Sequence, residues 1–146
     1  MIVWLASYPK SGNTLLRSIL SSYFFSNDGK FNFENLYQIT QFPLLEHFTS
    51  IDVDLNEDKA IFKNSIKAQN FINKEKGKVK FFKTHSSFSK IDDYNFTDLQ
   101  NTLGVIYIVR DPRNVVTSLA HHYDLSMDEA IDTMIDEKKF MSRTDK

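Results

Sequence analysis

Three short segments of the sequence combine cationic side chains with hydroxyl or imidazole groups. The first is Lys10-Ser11-Gly12-Asn13-Thr14, the second is Lys83-Thr84-His85, and the third runs from Arg110 to Ser118. Lysine and arginine neutralise phosphate or sulfate oxygens, hydroxyl groups donate hydrogen bonds to them, and a neutral imidazole accepts a proton. Together these residue types predict a local anion-binding site.

The segment from Lys10 to Thr14 has the parts of a phosphate cradle. Gly12 lets the backbone approach an anion closely, and the free N–H groups at the start of a following helix point at that anion. The hydroxyls of Ser11 and Thr14 add donors. An ordinary strand-to-helix turn with an exposed lysine is the alternative. The segment is not a Walker A loop, because Lys10 precedes Gly12 and residues 2–11 contain no glycine.

The elements around these segments predict how they are brought together. Residues 2–7, 79–83 and 104–109 have the apolar or β-branched character of strands, and each is followed by one of the three segments. The first and third strands each lead into a helix, and Asp111 can cap the helix that follows the third strand. This order predicts an α/β fold with three layers, in which a central parallel sheet gathers the three segments at the carboxyl ends of its strands.

Further helices follow from periodicity and end signals. The helix after the first segment, residues 13–25, carries one wide apolar stripe, made of Leu15, Leu16, Ile19, Leu20, Tyr23 and Phe24. Another helix is expected over residues 58–74, ended by Gly77, and a last one runs from a capping box at Ser126 and Glu129 to about Lys139. Residues 26–57 predict short helices and loops.

Composition restricts the classes of protein that fit. A length of 146 residues with 41% hydrophobic and 25% charged residues fits one globular domain. Eighteen basic and nineteen acidic residues argue against a nucleic-acid partner, and the absence of cysteine excludes disulfides, a thiolate nucleophile and Cys-ligated zinc. No apolar run reaches the length of a membrane span, and no basic region precedes the first strand. We therefore expect a cytoplasmic protein.

The three segments together resemble the cytosolic type of sulfotransferase. Residues 4–14 are similar to that family's 5′-phosphosulfate-binding loop, residues 82–85 to its catalytic Lys-Thr-His segment, and residues 107–118 to its 3′-phosphate-binding segment. They occur in family order, and the resemblance covers residues 2 to about 123. It implies a P-loop-like three-layer fold of one domain, residues 1–146. It also implies transfer of a sulfuryl group from 3′-phosphoadenosine-5′-phosphosulfate (PAPS) to a hydroxyl or amine of a small-molecule or glycan acceptor, with no metal.

The resemblance also implies a role for each residue. Lys10 would neutralise the leaving phosphate, Lys83 would steady the sulfuryl oxygens, and His85 would act as general base. The residues that would bind PAPS are Lys10, Ser11, Gly12, Asn13, Thr14, Arg110 and Ser118. Each of three residues also has a structural interpretation when it is taken alone. His85 would then be a polar histidine on the surface, Arg110 would form an ion pair with Asp111, and Ser118 would be a solvated residue on a helix.

Three departures from the family pattern affect these expectations. Leu15 stands where the family often has a tryptophan near the adenine, Ser86-Ser87 replaces the usual residues near the acceptor, and nothing after Ser118 resembles the family's Arg-Lys-Gly loop that closes over the nucleotide. We therefore expect a domain that is incomplete at its C-terminus, binds PAPS poorly and turns over slowly by itself, since an open site exposes its charges to water.

Two other functions are compatible with the sequence. One is a non-catalytic nucleotide- or anion-binding module of the same fold, and the other is a P-loop-like kinase of small molecules. The kinase is disfavoured by the missing Walker A loop and by Arg110, which occupies the position of a magnesium-binding aspartate.

Overall fold

A parallel sheet of three strands lies at the centre of the fold. A computed structural model of the chain describes residues 1–57, 59–75, 77–88 and 90–136, and its strands are β1 (Ile2–Ser7), β2 (Lys80–Thr84), β3 (Lys90–Ile91), β4 (Tyr94–Asn95) and β5 (Thr102–Ile108). The central sheet has the order β2-β1-β5, and β3 pairs with β4 in a separate hairpin. Leu5 of β1 lies opposite Lys83 on one side and Ile106 on the other. The three predicted strands are confirmed.

Helices on both faces of the sheet confirm the predicted three layers. Within the described ranges the helices are α1 (Asn13–Phe25), α2 (Ala60–Ile72), α3 (Pro112–Tyr123) and α4 (Met127–Ile135), with 3₁₀ segments at Phe33–Gln38 and Leu45–Phe48. On the α1 face, Phe24 stacks on Phe81 of β2 with ring centroids 5.1 Å apart. On the opposite face, Ala68 of α2 belongs to the core around Trp4 and Phe82.

The main hydrophobic core is aromatic and fixes the position of β1. Trp4 is only 1% exposed, and its ring centroid lies 5.5 Å from that of Phe42 and 5.0 Å from that of Phe96. Its indole Nε1 donates a 2.9 Å hydrogen bond to Thr102 Oγ1 at the start of β5. Burying a large apolar side chain stabilises a fold by about 1.5–3 kcal/mol. The tryptophan therefore ties the central strand, which leads into the first segment, to the rest of the sheet.

The helix predicted over residues 13–25 is confirmed, but its apolar stripe is only partly buried. Leu15, Ile19 and Tyr23 are 68%, 57% and 77% exposed, whereas Ser21 and Ser22 are buried. The hydroxyls of both serines donate to the carbonyl oxygen of Ser18, so burying them leaves no hydroxyl unsatisfied. The periodicity located the helix but not the side that packs on the sheet.

Other element boundaries differ by small amounts. The helix expected over residues 58–74 spans Ala60–Ile72 and ends before Gly77, while Asp58 lies outside the described residues. The capping box of Ser126 and Glu129 is confirmed at the start of α4, and the expected end near Lys139 lies outside the described residues. The β3–β4 hairpin was not predicted.

None of the helices in the described part of the chain is both long and apolar enough to span a membrane. The cytoplasmic location stays a prediction.

Candidate functional site

The three candidate segments meet at the carboxyl-terminal edge of the sheet. β1 leads into the loop that contains Lys10, β2 leads into His85, and β5 leads into Arg110. Arg110 Nη1 donates a 3.0 Å hydrogen bond to the carbonyl oxygen of Lys10, and His85 Nδ1 lies 2.7 Å from the carbonyl oxygen of Ser7. Because β1 lies between the other two strands, both contacts draw their segments toward the same loop.

The start of α1 is open to an anion. Its N-cap residue, Gly12, has a φ of 102° and supplies no side-chain cap. The first helical hydrogen bond runs from Leu16 N to Gly12 O, so the N–H groups of residues 13–15 have no acceptor within the helix. These N–H groups lie at the positive end of the helix dipole. A Cβ on Gly12 would meet no atom within 4 Å, so the glycine is required by backbone conformation rather than by space.

Asn13 anchors the loop to β1 instead of directing its side chain outward. The side chain is 5% exposed, and its amide Nδ2 donates to Leu5 O at 2.8 Å and to Ser7 Oγ at 3.1 Å. Asn13 Oδ1 is buried without a hydrogen-bond partner among the residues described. The group of Asn13 that can serve an anion is therefore its backbone N–H.

Lys10 adopts a backbone conformation that its loop neighbours support. Its φ of 66° lies in the left-handed region, which is unfavourable for a non-glycine residue by roughly 1–2 kcal/mol. The hydrogen bond from Arg110 fixes the Lys10 carbonyl, and the N–H of Ser11 donates to Tyr8 O at 3.3 Å across the same turn. No carboxylate in the described ranges forms an ion pair with Lys10. Ser11 is buried, whereas Thr14 is exposed.

His85 lies directly after β2, two residues beyond the half-buried Lys83. His85 is exposed overall, but partial desolvation of its imidazole lowers its pKa below the usual value. The hydrogen bond to Ser7 opposes this effect, and the positive charge of Lys83 adds to it. The imidazole is consequently neutral at pH 7, the form that accepts a proton. Its neighbour Ser86 donates its N–H to Thr84 Oγ1 at 3.0 Å, which turns the chain away from the strand.

The two arginines of the third segment, Arg110 and Arg113, have different partners. Asp111 caps α3 by accepting the N–H of Arg113 at 2.9 Å, and its Oδ2 lies 2.6 Å from Arg113 Nη2. The Arg113 side chain holds the pKa of Asp111 below its usual value. The structural partner of Asp111 is thus Arg113, whereas Arg110 contacts the Lys10 loop. Ser118 is half-buried on α3, and no hydrogen bond within the described residues joins it to the other candidates.

Ser7 is a site residue that the sequence analysis missed. It is 4% exposed at the end of β1, and it contacts both Asn13 and His85. Its position at the end of the central strand, directly before the first segment, was the available signal. In the described ranges, no group of three His, Asp or Glu side chains is placed to hold a metal ion.

One family model matches nearly the whole chain. The sequence model described as "Sulfotransferase domain" matches residues 2–144. A comparison with curated proteins finds no significant match. The matched range contains all three strand ends, the open start of α1 and the segments that follow them, and it covers nearly the whole chain, so the chain belongs to the sulfotransferase family.

Proposed function

We propose that this domain transfers a sulfuryl group from PAPS to a hydroxyl or amine of a small-molecule or glycan acceptor. Membership of the family supports sulfuryl transfer in general. The observation that carries the specific proposal is the meeting of the Lys10, His85 and Arg110 segments at one edge of the sheet. Three cationic segments and a neutral imidazole at one edge match a reaction that needs charge stabilisation and one proton acceptor.

The donor would bind across the loops after β1 and β5. The open start of α1 offers backbone N–H groups, and Lys10 adds a positive charge that no carboxylate of the described residues neutralises. This donor set fits the 5′-phosphosulfate group, with Ser11, Gly12, Asn13 and Thr14 forming the loop around it. Arg110 uses one N–H on the Lys10 loop, and its remaining donors suit the 3′-phosphate together with Ser118.

In the transfer step each group of the chain has one task. PAPS supplies the activated sulfuryl group when bound. Lys10 neutralises the charge that develops on the leaving phosphate, and Lys83 stabilises the sulfuryl oxygens. His85 removes the proton of the acceptor, and its lowered pKa keeps it in the basic form at neutral pH.

The experiment that tests this function measures transfer and binding separately. Radiolabelled sulfate transfer from PAPS is followed with a panel of phenols, amines and glycans, and adenosine 3′,5′-bisphosphate is titrated by calorimetry. Loss of the general base in His85→Ala lowers transfer about 100-fold or more and leaves nucleotide binding unchanged. His121→Ala, an exposed histidine in the last turn of α3, serves as the matched control and retains full transfer.

Two outcomes would contradict the proposal. Nucleotide binding without transfer to any acceptor class would identify a binding module. Magnesium-dependent consumption of ATP, with no use of PAPS, would identify a kinase.

A further inference from the structure

The contact between His85 and Ser7 determines which ring nitrogen carries the proton. His85 Nδ1 lies 2.7 Å from the Ser7 carbonyl oxygen, and 3.4 Å from Ser7 Oγ. A carbonyl oxygen can only accept a hydrogen bond, so at this distance Nδ1 must be the donor. In the neutral ring the proton is then on Nδ1, and Nε2 keeps the lone pair.

Ser7 is itself held from the other side by Asn13. The amide Nδ2 of Asn13 donates both to Ser7 Oγ and to Leu5 O, so two hydrogen bonds hold the last residues of β1. Ser7 and Asn13 are 4% and 5% exposed, so water does not compete strongly for these bonds. A continuous path of contacts therefore runs from the start of α1 through Ser7 to the imidazole.

A second histidine in the same molecule has the opposite arrangement. The backbone N–H of Leu44 donates to His47 Nδ1 at 3.0 Å. Because a backbone N–H can only donate, Nδ1 of His47 must be the acceptor, and its neutral ring carries the proton on Nε2. The chain has four histidines, and two of them, His47 and His85, differ in which ring nitrogen carries the proton. This difference can be measured directly.

We propose that Asn13 and Ser7 are positioning residues that hold His85 with its proton on Nδ1, so that Nε2 is the nitrogen that accepts the proton from the substrate. This inference rests on the proposed function for the meaning of that proton transfer. The tautomer itself is a property of the protein without any substrate. Asn13 thus has two tasks, a backbone N–H at the helix start and a side chain that acts on the base through Ser7.

Nuclear magnetic resonance of the ¹⁵N-labelled chain tests the tautomer. Long-range ¹⁵N–¹H correlation spectra near pH 8 identify the protonated ring nitrogen, and the variants His85→Gln and His47→Gln assign the two rings by loss of signal. The expected result is Nδ1–H for His85 and Nε2–H for His47. A His85 ring protonated on Nε2, or exchanging between both forms as a free side chain does, would overturn the proposal.

Substitution of Asn13 and Ser7 tests whether these two residues position His85. Asn13→Leu keeps the size of the side chain and removes its amide, so Leu5 O and Ser7 Oγ each lose a buried donor and the variant is expected to be less stable than the wild type. Removing the unpartnered Oδ1 offsets part of this loss. We expect His85 to change from one tautomer to a mixture. Ser7→Ala removes the hydroxyl that Asn13 holds but keeps the carbonyl, and it should cause a smaller change of the same kind. It also supplies the test if Asn13→Leu does not fold.

Asn73→Leu is the matched control. Asn73 also has a buried Oδ1 without a partner among the described residues, but its amide contacts Asn101, away from His85. In this variant the His85 tautomer stays as in the wild type. An Asn13→Leu spectrum identical to that of the wild type would show that Asn13 does not position the base.

The transfer assay adds a kinetic readout that separates this proposal from the proposed function. Asn13→Leu lowers kcat roughly tenfold with a smaller change in KM for PAPS, because the base is misplaced while the backbone donors remain. An unchanged kcat would contradict the positioning role. A wild-type chain that shows no transfer at all overturns the proposed function, whereas the spectra alone decide the state of His85.

Discussion

Two strand–turn–helix units of this molecule differ at the point where the helix begins. In the β1–α1 unit, Gly12 occupies the N-cap position in a left-handed conformation and offers no side-chain cap. In the β5–α3 unit, Asp111 occupies that position, and its carboxylate accepts the N–H of Arg113. Both units carry basic residues in the turn, so the difference lies in what satisfies the first N–H groups of each helix.

The start of α3 thus holds an anionic group of the chain itself, whereas the start of α1 has no side-chain cap. Asp111 fills the start of α3 with a negative charge and neutralises Arg113. The start of α1 keeps its donors and its positive dipole end, with Lys10 beside it. Arg110 contacts the α1 side, because its hydrogen bond goes to the Lys10 carbonyl across the edge of the sheet. We therefore propose that the 5′-phosphosulfate of the donor lies at the start of α1 and not at the start of α3.

The largest expected effect comes from removing the positive charge of Lys10, and removing that of Arg113 gives the comparison. Lys10→Met keeps an unbranched side chain and removes the charge beside the open helix start, and it should lower kcat/KM for PAPS by roughly 10²–10³. Arg113→Met removes a guanidinium that Asp111 already neutralises, so kcat/KM should stay close to the wild-type value. Steady-state sulfate transfer measures both. Equal losses in the two variants would break the comparison.

A smaller effect follows from giving α1 the cap that α3 has. Gly12→Asp places a carboxylate at the N-cap, and Gly12→Asn places a neutral side chain of the same size in the same left-handed backbone. Both variants share the conformational strain, and both side chains can cap the helix. Charge repulsion should nevertheless make the Asp variant bind adenosine 3′,5′-bisphosphate about tenfold more weakly than the Asn variant, a difference of about 1.4 kcal/mol. Equal affinities by calorimetry would mean that the phosphate lies elsewhere.

Much of this comparison could be predicted from the sequence. Apolar runs located the three parallel strands, and the ends of parallel strands share one edge of a sheet, so the meeting of the Lys10, His85 and Arg110 segments followed. Asp111 before Pro112 also predicted the capped start of α3, which the structure confirms. These features depend on secondary structure and on end signals, which local sequence patterns indicate well.

The individual contacts of the site could not be predicted in the same way. Ser7 and His85 are 78 positions apart, and Arg110 and Lys10 are 100 positions apart. Such contacts depend on strand register and on side-chain rotamers, to which no local pattern refers. The apolar stripe of α1 likewise does not identify its buried side, since Ser21 and Ser22 are buried with their hydroxyls bonded to Ser18 O of the same helix.

A third prediction concerns the stability of α3. Asp111→Ala removes the side-chain acceptor for the Arg113 N–H and should lower the midpoint of thermal unfolding by a few degrees, whereas Asp111→Asn caps the helix nearly as well and should change it little. Circular dichroism follows the transition. A midpoint unchanged in Asp111→Ala would show that the cap contributes nothing measurable, and α3 would then resemble α1 in needing no cap.

The smallest effect expected is a difference in acid sensitivity between the two helix starts. The side chain and then the backbone N–H of Arg113 lower the pKa of Asp111, so the folded state binds a proton there less readily than the unfolded state does. The stabilisation of the α3 start is therefore complete above the ordinary aspartate pKa of about 4 and is lost as the pH falls below it. The Arg113 amide shift should follow this loss in the wild type and remain constant in Asp111→Asn. The amides of residues 13–15 should show no such step, because no carboxylate caps α1. An acid transition of equal size at α1 would mean that a carboxylate also reaches its first turn, and the open anion site would then have to be abandoned.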